Sequence, residues 1–97
     1  MLKTKGDYER AFAVVTQVVH EWDPYGLIEV GAPSDEFDPE VRDIIPRLAE
    51  IRSPLDASEL LSEVFSRWFG PEDFPLSSCM EAGQALYLTL RKEEFVP

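Results

Sequence analysis

A chain of 97 residues, of which 44% are hydrophobic and 11% aromatic, can build one folded core and is too apolar to be intrinsically disordered. We therefore expect a single helical domain over residues 1–97, with residues 1–6 and 93–97 loosely held. The 19 acidic and 9 basic residues give a formal net charge of -10. This charge argues against nucleic acid and membrane as partners and favours a partner with a basic surface.

The sequence also predicts a cytoplasmic protein. The N-terminal segment carries charges but lacks the apolar stretch of a signal peptide, and the longest apolar run, residues 11–15, is too short to cross a membrane. Cys79 is the single cysteine, so the chain cannot form an internal disulfide.

The first predicted helix covers about residues 8–22. Asp7 is its expected N-cap, since an Asp side chain accepts hydrogen bonds from the free N–H groups of a first turn. Its apolar face, at helical spacing, consists of Tyr8, Ala11, Phe12, Val15, Val18, Val19 and Trp22. We expect the helix to stop at Trp22, because Pro24 disfavours the helical conformation of the residue before it.

An acidic connection follows the first helix. Between Arg10 and Arg42 the chain has no Lys or Arg and seven acidic residues, which supply about two thirds of its net charge. The steps at residues 23–24 and 38–39 are both Asp-Pro, which is typical of a helix start with Asp as the cap. We expect a short helix over residues 24–30, with a short strand over 27–30 as the alternative.

Three longer helices are predicted beyond this connection, at about residues 39–52, 57–69 and 79–92. Pro46 should kink or split the first of them, because proline removes a backbone hydrogen bond and crowds the preceding turn. Asp43 and Arg47 are four residues apart and should form an ion pair on its outer surface.

The last two helices have their own start signals and apolar faces. Asp56 and Ser78 each stand three residues before a Glu, the spacing of a capping box. The helix after Asp56 has the most apolar face of the chain, formed by Leu60, Leu61, Val64, Phe65, Trp68 and Phe69. Together the predicted helices indicate an all-α fold, a small irregular four-helix bundle with one additional short helix in the 23–31 connection.

Several short motifs together are similar to a known family. They are Trp22-Asp23-Pro24, Gly31-Ala32-Pro33, Asp35-Glu36-Phe37-Asp38, Trp68-Phe69-Gly70 and Cys79. In this combination the chain resembles the YugE-like family of small bacterial proteins over roughly residues 7–90. The resemblance implies an all-helical fold of about four helices and a bacterial origin. It implies no established activity and therefore no catalytic residue.

The acidic connection is the predicted functional surface. We expect a non-enzymatic protein-interaction module that uses residues 21–40 to contact a basic partner. The predicted contact residues are Asp35, Glu36, Glu40 and Glu29. A narrower form of this hypothesis is an immunity or antitoxin-like protein, whose carboxylates imitate phosphates and mask a cationic site on a toxin.

A carboxylate-based metal-binding protein or enzyme is the alternative, because Asp35, Glu36, Asp38 and Glu40 carry the oxygen ligands that Ca²⁺ and Mg²⁺ prefer. Their spacing differs from that of an EF-hand loop, and helix capping explains the same residues without a metal. Self-association through an unused apolar face is a third hypothesis. We therefore predict no cofactor, no metal and no catalytic residue, and leave the oligomeric state open.

Four other residues have chemistry that packing explains more simply. His20 is the only histidine and lies at a helix end, and Cys79 falls on an apolar helix face, so neither indicates catalysis. Trp22 and Trp68 can line a partner groove, but aromatic residues at helical spacing are more often core. If Trp68 is buried, its replacement by Ala should lower the free energy of unfolding by about 3–5 kcal/mol.

Overall fold

The computed structural model describes residues 3–96 and confirms the all-α fold. Its four α-helices are α1 (Lys5–Trp22), α2 (Asp38–Ile44), α3 (Pro54–Phe69) and α4 (Leu76–Lys92). Two 3-10 segments, Pro24–Gly26 and Ile45–Glu50, follow α1 and α2. The described residues contain no strand, so the alternative strand over residues 27–30 is wrong. None of the helices described is both long and apolar enough to cross a membrane.

Helices α1 and α3 begin in the same way, three residues before the predicted starts. The hydroxyl of Thr4 accepts a hydrogen bond from the backbone N–H of Asp7 at 3.0 Å, and the Asp7 carboxylate accepts one from the N–H of Lys3. Ser53 and Asp56 repeat this arrangement at α3. The hydroxyl residue is therefore the N-cap, and the Asp predicted as the cap is its reciprocal partner inside the first turn.

The two other helix starts also differ from the predicted ones. Asp38 lies in the first turn of α2 rather than at its N-cap, which is Phe37 and makes no side-chain capping bond. The N-cap of α4 is Pro75, so Ser78 lies within the helix. The predicted effect of Pro46 is confirmed, because the α-helix ends at Ile44 and the chain continues as the tighter Ile45–Glu50 segment.

Phe65 is at the centre of the core, on the inner face of α3. Its side chain is fully buried. Its ring centroid lies 4.9 Å from that of Trp22, 5.3 Å from Phe74, 5.9 Å from Phe69 and 6.1 Å from Phe37. These four residues come from the end of α1, the acidic connection, α3 itself and the 70–75 connection. One side chain thus joins the parts of the chain that surround the candidate site.

Helices α3 and α4 approach most closely where Gly83 faces Ser58. A Cβ atom on Gly83 would lie 2.6 Å from both the Cα and the backbone N of Ser58, closer than real Cβ atoms come. Ser58 is itself fully buried, and its hydroxyl donates a hydrogen bond to the carbonyl oxygen of Pro54 at 2.9 Å. Two small residues therefore set the distance between the two helix backbones.

Trp68 is not a core residue, contrary to the prediction from its spacing. It is 49% exposed, and its indole N–H donates a hydrogen bond to the Asp43 carboxylate at 2.7 Å. A tryptophan suits such an edge, since it packs one part of the ring and keeps its polar atom near water. The predicted ion pair between Asp43 and Arg47 does not form, because Arg47 instead contacts Glu50 and Glu63.

The C-terminal residues pack against the bundle, in place of the loose tail predicted at residues 93–97. Glu94 adopts a left-handed conformation with φ 65°, and the backbone N–H of Phe95 bonds to the carbonyl of Leu90 at 2.8 Å. Phe95 and Val96 are buried, and the guanidinium of Arg10 lies 4.6 Å from the Phe95 ring centroid. Residues 1, 2 and 97 lie outside the described part of the chain.

Candidate functional site

Asp23 organises the first half of the acidic connection. Its backbone is left-handed, with φ 48°, and its two carboxylate oxygens accept hydrogen bonds from the N–H groups of Ile28 at 2.8 Å and Glu29 at 3.0 Å. Asp23 thus closes a loop instead of capping a helix at Pro24. It fixes where the chain leaves α1 and where Glu29 meets solvent.

The short helix predicted over residues 24–30 is reduced to the single 3-10 turn Pro24–Gly26 followed by hydrogen-bonded turns. Tyr25 and Gly26 both have φ 66°, and two consecutive left-handed residues cannot continue a right-handed helix. Glycine adopts this conformation freely, but a tyrosine there is uncommon.

Three of the four predicted contact residues lie on the surface. Glu29, Asp35 and Glu36 are exposed, and none of them makes an ion pair with another residue of the described part of the chain. We call these three residues the acidic rim. Val30 stands beside Glu29 and is 80% exposed, so an apolar side chain is presented next to the acidic rim.

The predicted outward position of Glu40 is wrong, because this residue is only 3% exposed. It lies three residues after Phe37 and four before Ile44, both of which are buried, so it falls on the inner face of α2. One of its carboxylate oxygens, Oε2, is buried without a hydrogen-bond partner. Burial raises the pKa of Glu40, a hydrogen bond from its own backbone N–H lowers it in part, and the neighbouring carboxylates of Glu36, Asp43 and Asp38 raise it again.

We predict that Glu40→Gln stabilises the protein, relative to wild type, more at neutral pH than at acid pH. An acid with a raised pKa in the folded state opposes folding when it ionises. The penalty is absent below the unfolded pKa, near 4.5, and grows as the pH rises to the folded pKa. The difference in unfolding free energy between Glu40→Gln and wild type should therefore become more favourable from pH 4 to pH 7.

Urea denaturation at several pH values measures this difference, and Glu59→Gln controls for the loss of one acidic charge at an exposed position. A difference between Glu40→Gln and wild type that stays constant with pH would show that Glu40 is not shielded from water in the folded protein.

The basic residues closest in sequence to the acidic rim bind other groups. Arg47 forms two hydrogen bonds to Glu50, at 2.9 and 3.0 Å, and an ion pair with Glu63 at 2.7 Å. The carboxylates of Glu50 and Glu63 raise the pKa of Arg47, and the Arg47 guanidinium lowers the pKa of Glu50. Arg42 lies 3.8 Å from Asp38, a long and exposed contact that contributes little. The charge of the acidic rim is therefore not compensated within residues 3–96.

The carboxylates of the acidic connection do not form a preassembled metal site. Within residues 3–96, no group of three or more His, Cys, Asp or Glu side chains is close enough to hold a metal ion. Asp38 lies 3.8 Å from Arg42 and the side chain of Glu40 is buried, whereas Asp35 and Glu36 are exposed.

His20 and Cys79 lie in different surroundings. Cys79 is fully buried, and burial raises the pKa of its thiol despite a hydrogen bond with Ser62 that lowers it, so the thiol is held in its unreactive form. His20 is half-buried, and its Nε2 atom has no hydrogen-bond partner. Together with Thr16, whose hydroxyl is also unpaired, it lines a shallow depression on the outer face of α1.

An aromatic cavity opens between the end of α1 and the 70–75 connection. Its volume is about 260 Å³, and it is lined by Trp22, Pro24, Tyr25, Asp73, Phe74 and Ser78. The Tyr25 hydroxyl donates a hydrogen bond of 2.7 Å to the Asp73 carboxylate, and this bond raises the pKa of Tyr25. The sequence gives no local signal for this cavity, because the two residues joined by this hydrogen bond lie 48 positions apart.

Comparison of the chain with protein-family models, with curated proteins and with solved structures finds no match. The resemblance to the YugE-like family stays a prediction.

Proposed function

We propose that this protein is a non-enzymatic interaction module that binds a partner with a basic surface through the acidic rim. The observation that supports the proposal is that Glu29, Asp35 and Glu36 are each exposed and that none of them has a compensating ion pair among the described residues. A net charge of -10 strengthens the local effect, since the field of the whole chain attracts cationic surfaces.

The acidic connection also offers an apolar contact. Val30 is 80% exposed beside Glu29, so a partner bound at the acidic rim would cover an apolar side chain as well as the carboxylates.

The narrower form of the proposal is an immunity or antitoxin-like role in the bacterial cytoplasm. The carboxylates of the acidic rim would occupy the cationic site of a toxin in place of nucleic acid phosphates, and the partner would lose its access to the nucleic acid. Acidic complementarity of this kind increases the association rate most strongly at low salt. A buried free cysteine, Cys79, is compatible with a reducing compartment.

The experiment compares two double variants in their binding to a ten-residue arginine peptide by isothermal titration calorimetry. Asp35→Asn with Glu36→Gln removes two charges of the acidic rim. Glu9→Gln with Glu59→Gln removes two exposed charges from α1 and α3, so this control has the same net charge as the first double variant. We expect the first variant to bind about tenfold more weakly, with a flatter salt dependence, and the control to bind as wild type does.

Equal weakening in both variants would contradict the proposal, because it would show that the peptide responds to net charge alone.

A further inference from the structure

We propose that the aromatic cavity between α1 and the 70–75 connection receives an arginine side chain of the partner protein. This inference rests on the proposed function and adds a specific anchoring site to it. The acidic rim attracts a basic surface from a distance, whereas the cavity would select one side chain of that surface at close range.

The cavity walls have the composition that a guanidinium group requires. Trp22 and Tyr25 supply aromatic rings that reach the surface, the buried Phe74 packs behind both of them, and Asp73 supplies a carboxylate at the same opening. A guanidinium group stacks on aromatic rings and donates paired hydrogen bonds to a carboxylate, so it satisfies both kinds of wall at once.

The Asp73 carboxylate is available for such a ligand. No Lys, Arg or His side chain of the described residues forms an ion pair with it, and the group that donates a hydrogen bond to it is the neutral hydroxyl of Tyr25. An apolar occupant would strip water from this carboxylate without replacing its hydrogen bonds, which is unfavourable. The charge therefore selects a cationic side chain over an aliphatic one.

The backbone holds the cavity open in a strained conformation. Tyr25 has φ 66°, a backbone conformation that residues other than glycine rarely adopt. In this conformation its ring lies 5.6 Å from Phe69 and 5.5 Å from Phe74, between centroids, and its hydroxyl reaches Asp73. Strain retained at a surface position is typical of a binding site whose geometry is fixed before the ligand arrives.

The cavity and the acidic rim belong to one structural unit. The same Asp23 that ends α1 accepts the hydrogen bonds that position Ile28 and Glu29, and Tyr25 lies between these residues in the chain. A basic segment that crosses the 23–31 connection would therefore meet Glu29 and the cavity in succession. An aromatic pocket beside a charged surface is the usual arrangement of an energetically dominant contact in a protein interface.

The test follows backbone amide and tryptophan indole resonances by NMR during titration with Nα-acetyl-arginine amide. Nα-acetyl-citrulline amide, its neutral isostere, is the matched ligand. We expect saturable shifts of the Trp22 indole and of the amides of residues 72–74 with the arginine compound only. Asp73→Asn should weaken this binding about tenfold, because it removes the charge and keeps the shape, while Glu72→Gln on the neighbouring residue should leave it unchanged.

The outcomes separate this inference from the proposed function. Equal shifts with the citrulline compound, or shifts confined to the acidic rim, would overturn the cavity assignment and leave the binding of basic partners in place. Equal weakening by Asp73→Asn and Glu72→Gln would overturn it as well. Saturable arginine binding that is lost only in Asp73→Asn would support the cavity even if the acidic rim proved dispensable for the ten-residue peptide.

Discussion

Phe65→Ala should lower the free energy of unfolding by about 3–5 kcal/mol, the largest loss expected from any single truncation in the chain. The side chain is fully buried and contacts four other aromatic rings, so its removal leaves a cavity that rigid neighbours cannot fill. Urea denaturation followed by far-ultraviolet circular dichroism measures the change.

Trp68→Ala is the matched control for Phe65→Ala on the same helix. Trp68 is 49% exposed, and its main specific contact is the hydrogen bond to Asp43, so we expect a loss of only about 1 kcal/mol. Equal losses for the two variants would place Trp68 in the core after all and would contradict the arrangement of α2 and α3 described above.

Gly83→Ala should destabilise the protein by about 1–3 kcal/mol, although alanine is the better helix former by about 1 kcal/mol. The added methyl group would lie 2.6 Å from the backbone of Ser58, so α3 and α4 must move apart and lose packing along their length. Thermal and urea denaturation both report the change.

Gly6→Ala is the control for Gly83→Ala, because Gly6 is also helical but its added methyl group would lie 3.7 Å from the Thr4 hydroxyl, an ordinary contact. This variant should be as stable as wild type or more so, by up to about 1 kcal/mol. Stabilisation by both substitutions would mean that the close approach of α3 and α4 does not exist in solution.

The apolar spacing of the sequence was sufficient to predict the four helices and their class, because each helix buries one face against a common core. The helix starts were less predictable. At α1 and α3 a hydroxyl residue competes with the Asp three positions later for the capping role, and both residues suit it chemically. Only the geometry shows that Thr4 and Ser53 are the caps.

The positions of Trp68 and Glu40 were both predicted wrongly from the sequence. Both lie at the edge of an apolar face, where a shift of one helix start or the angle of a neighbouring helix decides between core and solvent. With α2 starting at Asp38 and ending at Ile44, Glu40 turns inward with Phe37 and Val41. Trp68 turns outward toward Asp43.

The acidic rim was predictable as a run of charge, whereas the aromatic cavity was not. The cavity depends on the left-handed backbone of Tyr25 and on Asp73, which the 70–75 connection brings to it. No rule of local sequence predicts a left-handed tyrosine. The surface next to the acidic rim therefore became visible only in three dimensions.

The most direct test of the account is the footprint of the ten-residue arginine peptide on the protein, measured by amide chemical-shift changes at physiological salt. If the acidic rim is an uncompensated recognition surface, the saturable shifts will concentrate at residues 23–36 and will decrease as salt is added. Shifts spread evenly over other exposed acids, such as Glu9 and Glu59, would contradict the account and would leave the protein with no distinct binding face.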